Sequence, residues 1–364
     1  MSTAAAASSP FCTSPAVCSA LVGWFGDIRL ADRLEVGGKG GSLGELKRAG
    51  IDVPPGFVLK TVAFERFMEA LESESPVRQR VESLQADDLE GITALSAQLR
   101  ARFAATPLPA DVADVIAVAV AELGKGAAQS SVAVRSSATT EDAADASFAG
   151  LQDTYLWVKS QQVQERVRSC WGSLYSVESM SYRRKRDFEE KNVAMAVVVQ
   201  TMVDARTAGV MFTRSPLTGD RSVMTIEGSW GLGSAVVGGE VTPDRWVVGK
   251  ITGEISVREI SAKLIRHAAA AGGGIETVPV PEDLQRVACM SDDEIQHLRA
   301  IGRQVERHYG RSQDIEWAVE RGSEKILLLQ SRPETVWSAK ESAPVGRAVP
   351  DPVSHVLSIF GGRR

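Results

Sequence analysis

The sequence predicts a mixed α/β (α+β) protein, and three observations carry that prediction. Residues 62–128 read as several helices, broken at Pro76, at Pro107 and Pro109, and at the "GKG" near 125. Apolar runs such as "VAVR" at 132–135 interrupt this helical half as strands. From Ala194 onward the texture turns β-rich, with short β-branched runs separated by Gly, Pro, Asp and Thr clusters.

Composition sets the outer bounds. At 364 residues the chain has room for two or three domains, and its 44% hydrophobic and 24% charged content is ordinary for a globular protein. A net charge of −5 excludes the basic footprint of a dedicated nucleic-acid binder. Four scattered cysteines, Cys12, Cys18, Cys170 and Cys289, show no zinc spacing, and a chain of this size needs no disulfide framework. The expectation is a reduced, cytoplasmic protein. The N-terminus has no basic residue before Arg29, so it lacks the charged start of a secretory signal, and its apolar patch falls short of a bilayer span.

Along the chain, residues 1–20 read as a loose Ala/Ser tail, and Leu21 to Phe25 as the first strand. "EVGGKGGSLGELKRAG" is a glycine-rich turn entering a short amphipathic helix with Leu43 and Leu46 on one face. In "DVPPGFVLK", Pro54 and Pro55 forbid helix and Val58 to Lys60 reads as strand. Residues 160–190 predict one long polar helix ending in "YRRKRDFEEK", whose basic run reads as a solvated face balanced by the adjacent acids. The runs "AMAVVVQTMV", "AGVMFT", "SVMTIEG", "RWVVGK" and "GEISVREI" predict an antiparallel sheet. A helix follows at about 291–309, then a last pair of strands.

That last pair concentrates polar groups. Alternation in "QDIEWAVE" places Asp314 and Glu316 on one face, and in "KILLLQSRPET" Gln330 and Arg332 share a face. If "RGSEK" is the turn of an antiparallel hairpin, a register that sets Glu316 opposite Gln330 also sets Asp314 opposite Arg332. Carboxylate and amide oxygens are the hard donors that Mg²⁺ prefers, and a guanidinium beside them can grip a phosphate. A solvent-facing hairpin with a cross-strand ion pair accounts for the same residues equally well.

Company elsewhere favours a phosphate site. "GGKGGS" at 37–42 places Lys39 among four glycines before a helix, where backbone N–H groups and an ammonium can approach an anion, although it is not a Walker A loop. "EGSWGLGSAVVGGEVTPDRW" supplies a second flexible segment around Glu227, Gly231 and Gly233. The strand ending in Arg135 runs into Ser136, Ser137, Thr139 and Thr140, a ladder of hydroxyls.

Together "VGGKGGSLGEL", "VPPGFVL", "VAVRSSATTEDAADASFAGLQDTYL", "AVVVQTMV", "AGVMFT", "GSWGLGSAVVGGEVTPDRWVV" and "QDIEWAVE…LLLQSRPET" resemble the nucleotide-binding domain of the phosphoenolpyruvate synthase and pyruvate phosphate dikinase family, which includes rifampicin phosphotransferases. The resemblance runs over residues 22–338 in order. It implies an ATP-grasp fold, two subdomains clasping ATP, here divided as 21–190 and 191–338 with tails at 1–20 and 339–364. It implies ATP and Mg²⁺ as ligands. Lys39 and Arg135 would be the phosphate-binding cations, Glu316 and Gln330 the metal ligands, and Arg332 the γ-phosphate contact. Gln200, Met202 and Val203 would form the hinge passing the adenine, Glu227 would lie near the ribose, and Asp314 and Thr213 would be further polar contacts.

The resemblance also implies a reaction in which a histidine on a separate swivelling domain attacks the β-phosphate, so that AMP and phosphate are released and the retained phosphoryl reaches an acceptor. Of His267, His297, His308 and His355, none has the sequence surroundings of that histidine. The chain therefore resembles the ATP-binding subunit of a split phosphotransferase such as phenylphosphate synthase. The expected partner is a histidine-carrying, acceptor-binding subunit, and the acceptor phenol or another aromatic alcohol. Two alternatives accompany this reading: the ATP-binding domain of a phosphoenolpyruvate synthase or rifampicin phosphotransferase, and a non-catalytic ATP-sensing module. No nucleic-acid or membrane partner is expected.

Overall fold

The computed structural model describes residues 15–125, 131–139, 142–143, 146–147 and 153–337. The chain opens with α1 (Pro15–Leu21) and β1 (Val22–Trp24), continues through α2 (Arg33–Arg48) to β2 (Gly56–Leu59), and then builds four helices, α3 (Thr61–Glu72), α4 (Val77–Glu82), α5 (Leu89–Ala105) and α6 (Ala110–Gly124). The expected prolines bound them: Pro76 and Pro109 are the N-cap residues of α4 and α6. β3 (Ser131–Ala138), the short β4 (Asp142–Ala143) and β5 (Ala146–Ser147), and β6 (Thr154–Lys159) precede α7 (Val163–Ser173) and α8 (Val177–Lys185). β7 (Met195–Thr201), β8 (Ala205–Phe212) and β9 (Val223–Trp230) follow, then the one-turn α9 (Ser234–Val237). The chain goes on through β10 (Asp244–Gly249), β11 (Ile255–Glu259), β12 (Ile265–Ala269) and β13 (Ile275–Pro279) to α10 (Asp292–Tyr309), β14 (Gln313–Glu320) and β15 (Ile326–Pro333).

Two sheets organise these elements. The first runs β1-β2-β7-β3-β6 and the second β11-β10-β9-β8-β14-β15, with every pairing antiparallel. Alternation along β7 explains how the first sheet is covered: Val197 and Val199 face the helical core with Phe64, Phe67, Phe103 and Trp171, while Ala196 and Val198 face the second sheet. Trp171 is fully buried there, and its indole N–H donates to Met195 O at 3.1 Å. Burying each such ring contributes about 1.5–3 kcal/mol.

A shared core joins the sheets. Leu43 and Leu46 of α2 pack with Met211, Trp317 and the α10 residues Leu298 and Val305. Polar ties run alongside it: Leu328 N–H donates to Asp52 O at 2.9 Å, Ser42 Oγ donates to Ser331 O at 2.5 Å, and His308 meets Glu45 at 2.7 Å. α10 is well bounded, with a Ser291–Glu294 capping box at its start and Gly310 in the left-handed region at its end.

Several expectations need correction. Residues 15–21 form a helix, not a tail, and the first strand starts at Val22. Cys170 and Cys289 are buried free thiols, but Cys18 is disulfide-bonded, so the expectation of an all-reduced set does not hold for it. The predicted long helix at 160–190 is two, α7 and α8, parted at 174–176. Its basic end is not wholly solvated, because Arg183 is fully buried and donates to Glu190 at 2.8 Å and to Leu174 O at 2.7 Å. β7 pairs with β2 and β3, so the change of sheet falls after Thr201 and not at 191. Among the described residues no single helix is long and apolar enough to cross a membrane.

Candidate functional site

The two sheets meet at Arg135. This guanidinium on β3 is 9% exposed, and its Nη2 donates to Glu316 Oε2 at 2.9 Å and to Gln330 Oε1 at 2.7 Å, while Nη1 donates to Leu329 O at 2.8 Å. The predicted register supplies those acceptors, since β14 and β15 pair Glu316 with Gln330 and Asp314 with Arg332. Asp314 and Arg332 also pair through their side chains at 3.4 Å. Burial pushes the Asp314 carboxyl up to about 6 against the pull of Arg332, and its Oδ1 is buried without a hydrogen-bond partner among the described residues. Asp314, Glu316 and Gln330 thus bring side-chain oxygens to one face of the hairpin.

Lys39 lies on another segment, which packs against the same strand as Arg135. The expected glycine-rich turn is folded into α2, which kinks at Gly37 (φ 70°, ψ 177°) and resumes as a helix carrying Lys39 in its first turn. A Cβ on Gly37 would lie 2.1 Å from Ser137 O, so only glycine lets α2 approach β3 this closely. Ser137 Oγ donates to Val36 O at 2.9 Å and accepts from Gly40 N–H at 3.2 Å. Since Ser137 lies two residues beyond Arg135 on the same face of β3, one strand end fixes both the Arg135 guanidinium and the Lys39 segment. Ser136, on the opposite face, donates instead to Asp153 O at 2.9 Å.

Beside Arg135 and Glu316 a cavity of about 350 Å³ opens between the sheets. Away from Arg135 its wall is apolar, with Met202, Val203, Leu232 and Ala208. Gln200 also lines it, is 2% exposed, and spends its amide on Pro54 O at 3.5 Å. An apolar pocket with a few convergent polar groups at one end suits a flat heterocycle with an anionic tail.

Two predicted contacts, Thr213 and Glu227, are not among the residues lining this cavity. Thr213 is fully buried below the ladder, where its Oγ1 accepts from Gln313 N–H at 2.8 Å, so its side chain is already committed to holding β8 against β14. Glu227 does not line the cavity. It stands opposite Val210, which stands opposite Glu316, so two strand spacings separate it from the Arg135 cluster. Burial pushes the Glu227 carboxyl up, opposed by Arg245 and reinforced by Glu259.

The sequence reading missed Thr154, Thr201 and Ser234, which line the cavity. Thr201 Oγ1 is buried with no partner among the described residues. It sits inside the apolar run "VVVQTMV", where nothing distinguishes its hydroxyl from a strand-forming one. Of the described histidines, His297 is exposed on α10, His308 pairs with Glu45, and His267 contacts Ser234 and Glu240. His355 lies outside the described residues.

Comparison with known proteins places the chain in one family. The profile of the family described as "Pyruvate phosphate dikinase, AMP/ATP-binding domain" matches residues 33–350. A rifampicin phosphotransferase of a Streptomyces species is 42% identical over 311 residues, covering 85% of this chain and 35% of that protein. A probable phosphoenolpyruvate synthase of Methanothermobacter thermautotrophicus is 41% identical over 317 residues, 86% of this chain and 46% of that protein. The corresponding protein of Methanocaldococcus jannaschii is 39% identical over 317 residues, 86% of this chain and 26% of that protein. The chain therefore spans less than half the length of these relatives.

Proposed function

The chain belongs to the pyruvate phosphate dikinase AMP/ATP-binding family, and from that premise we propose that its inter-sheet cavity holds Mg-ATP for a dikinase-type phosphotransfer. The observation that carries the reading is the convergence of Arg135, Glu316 and Gln330 at the polar end of an apolar cavity. The adenine occupies the Met202, Val203 and Leu232 end. The triphosphate runs past Arg135 toward Lys39 and Arg332, whose fixed charges neutralise its oxygens and the charge that develops on the departing AMP.

Magnesium fits the donor set. Glu316 and Gln330 offer hard oxygens, and Asp314 Oδ1 is a buried acceptor without a partner. Magnesium keeps water and phosphate oxygens in its shell, so a few protein oxygens beside a triphosphate are enough to hold it. Bound there by Glu316 and Gln330, Mg²⁺ would supply charge neutralisation at the phosphate oxygens.

The histidine that takes the phosphoryl group, and the acceptor, belong to surfaces outside these described residues. The names of the relatives, phosphoenolpyruvate synthase and rifampicin phosphotransferase, support the alternative drawn in the sequence analysis better than they support phenol as acceptor. The test is calorimetric titration of Mg-ATP into this chain, together with AMP measurement. Binding that Arg135→Ala weakens by about 100-fold, with little AMP formed, supports the reading. Unchanged binding in that variant, or rapid AMP release by this chain alone, overturns it.

A further inference from the structure

One polar chain beside the cavity is unused by this reading. Ser234 Oγ lies 2.8 Å from His267 Nδ1, and His267 Nε2 lies 3.2 Å from Glu240 Oε2. His267, on β12, is buried, with a side chain 6% exposed, whereas Ser234 opens α9 and lines the cavity. The loop before Ser234 is pressed onto β12: Leu232 N–H donates to His267 O at 3.2 Å, and a Cβ on Gly231 would lie 2.5 Å from the same oxygen. The contact is therefore held by backbone as well as by side chains.

The direction of these hydrogen bonds follows from the donor inventory. An ionised carboxylate only accepts, so Glu240 fixes the hydrogen of His267 on Nε2. In the neutral ring Nδ1 then offers a lone pair, and Ser234 O–H donates to it. The remaining lone pairs of Ser234 Oγ are left as an acceptor at the cavity wall.

Strand register places that acceptor along the cavity. Ala133 pairs with Gln200 at the base end, and Arg135 pairs with Thr154 at the phosphate end. Ser234 borders the cavity beside Thr154 and Leu156, two residues apart on β6, and these three also line a neighbouring cleft. It thus falls between the apolar end and the guanidinium, at the level where a nucleotide carries its sugar.

We propose that Ser234 is a specificity-determining contact that accepts a hydrogen bond from a ribose hydroxyl, with His267 and Glu240 as positioning residues that keep its own proton turned away. The proposal rests on the cavity holding ATP. It gives the site a preference for ribonucleotides over deoxyribonucleotides, because a hydroxyl missing from the ligand leaves a desolvated acceptor unpaired.

The experiment compares calorimetric affinities for Mg-complexed ATP, 2′-deoxy-ATP and 3′-deoxy-ATP. The wild-type protein is expected to bind ATP about ten-fold more tightly than one of the deoxy analogues. In Ser234→Ala the ratio falls to within about two-fold through weaker ATP binding, and Ser234→Thr restores it. Glu240→Gln, at an exposed position, reduces the ratio without removing the hydroxyl. Equal affinity of the wild-type protein for all three nucleotides overturns the proposal. So does a Ser234→Ala variant that loses the same affinity for each, which is what a purely structural Ser234–His267 tie predicts. Absence of any ATP binding would defeat the proposed function itself, whereas ATP binding with an unaltered ratio defeats this inference alone.

Discussion

Arg135 Nη2 and Gln330 Oε1 lie 2.7 Å apart although 195 positions separate them in the chain, and this hydrogen bond joins one sheet to the other at the polar end of the cavity. The same nitrogen donates to Glu316 Oε2, so one guanidinium organises both oxygens that the proposed function assigns to the metal. Replacing it has two effects: the proposed phosphate contact is lost, and Glu316 loses its ion pair with Arg135. Arg135→Ala is expected to weaken Mg-ATP binding by about 100-fold, on the scale of a lost charged hydrogen-bond pair. Arg135→Lys should recover little of this, since a single ammonium cannot reach Leu329 O, Glu316 and Gln330 in one planar geometry. Calorimetry on both variants, with circular dichroism to verify folding, checks the expectation.

Gly37 is the second mechanical point. Its φ of 70° and the 2.1 Å approach that a Cβ would make to Ser137 O leave no room for another residue. Gly37→Ala should lower stability by about 2–4 kcal/mol, combining left-handed strain with overpacking against backbone. It should also weaken ATP binding, because Lys39 follows two residues later in the same segment. Urea unfolding at pH 7 measures the first effect and titration of the surviving folded protein the second.

How much of this was legible in the sequence depended on whether a residue's role is set by its neighbours along the chain. The β14–β15 hairpin was readable because period-two alternation and a short turn fix which side chains oppose each other. The proline-bounded helices were readable for the same local reason. The kinked α2 was not, since its glycines argue for a turn, and only the contact with Ser137, 97 residues from Gly40, explains why the segment packs as helix. The two hydroxyls that follow Arg135 look alike in sequence, yet Ser137 clamps α2 while Ser136 faces the helical side. Thr213 and Glu227 enter the site through the family resemblance alone. Register adds what type cannot: it sets the Thr213 hydroxyl on the Gln313 backbone, and it puts Glu227 on the Glu316 face two strands away. Ser234, His267 and Glu240 carry no spacing that announces them, because a strand, a one-turn helix and a loop must fold together before they touch.

Glu316 separates the role of metal from that of charge pairing. Glu316→Gln keeps the shape and one oxygen but removes the anion that pairs with Arg135 at 2.9 Å. ATP binding without magnesium is expected to change little or to strengthen, since a negative group beside the phosphates is gone. The gain in affinity that magnesium confers should fall by about ten-fold, the scale of one charged ligand contact. Titrating magnesium at fixed ATP reads the two effects separately, and an unchanged magnesium dependence would remove Glu316 from the donor set.

Glu227 supplies a pH test that leaves the site untouched. Burial raises its carboxyl above the ordinary value, with Arg245 opposing and Glu259 assisting. Between the unfolded value of 4.5 and the raised folded value, the native state holds more proton than the unfolded chain, so this group makes stability fall as pH rises through that window. Above the window the cost of a half-buried carboxylate is fully present, and below 4.5 it vanishes because both states are protonated. Glu227→Gln should therefore melt higher than wild type at pH 7 and converge with it near pH 4. Because Glu227 does not line the cavity, Mg-ATP affinity should stay within about two-fold, a change well below one hydrogen bond. Thermal melts at the two pH values measure the first expectation. A loss of affinity much larger than two-fold at constant stability would return Glu227 to the nucleotide site.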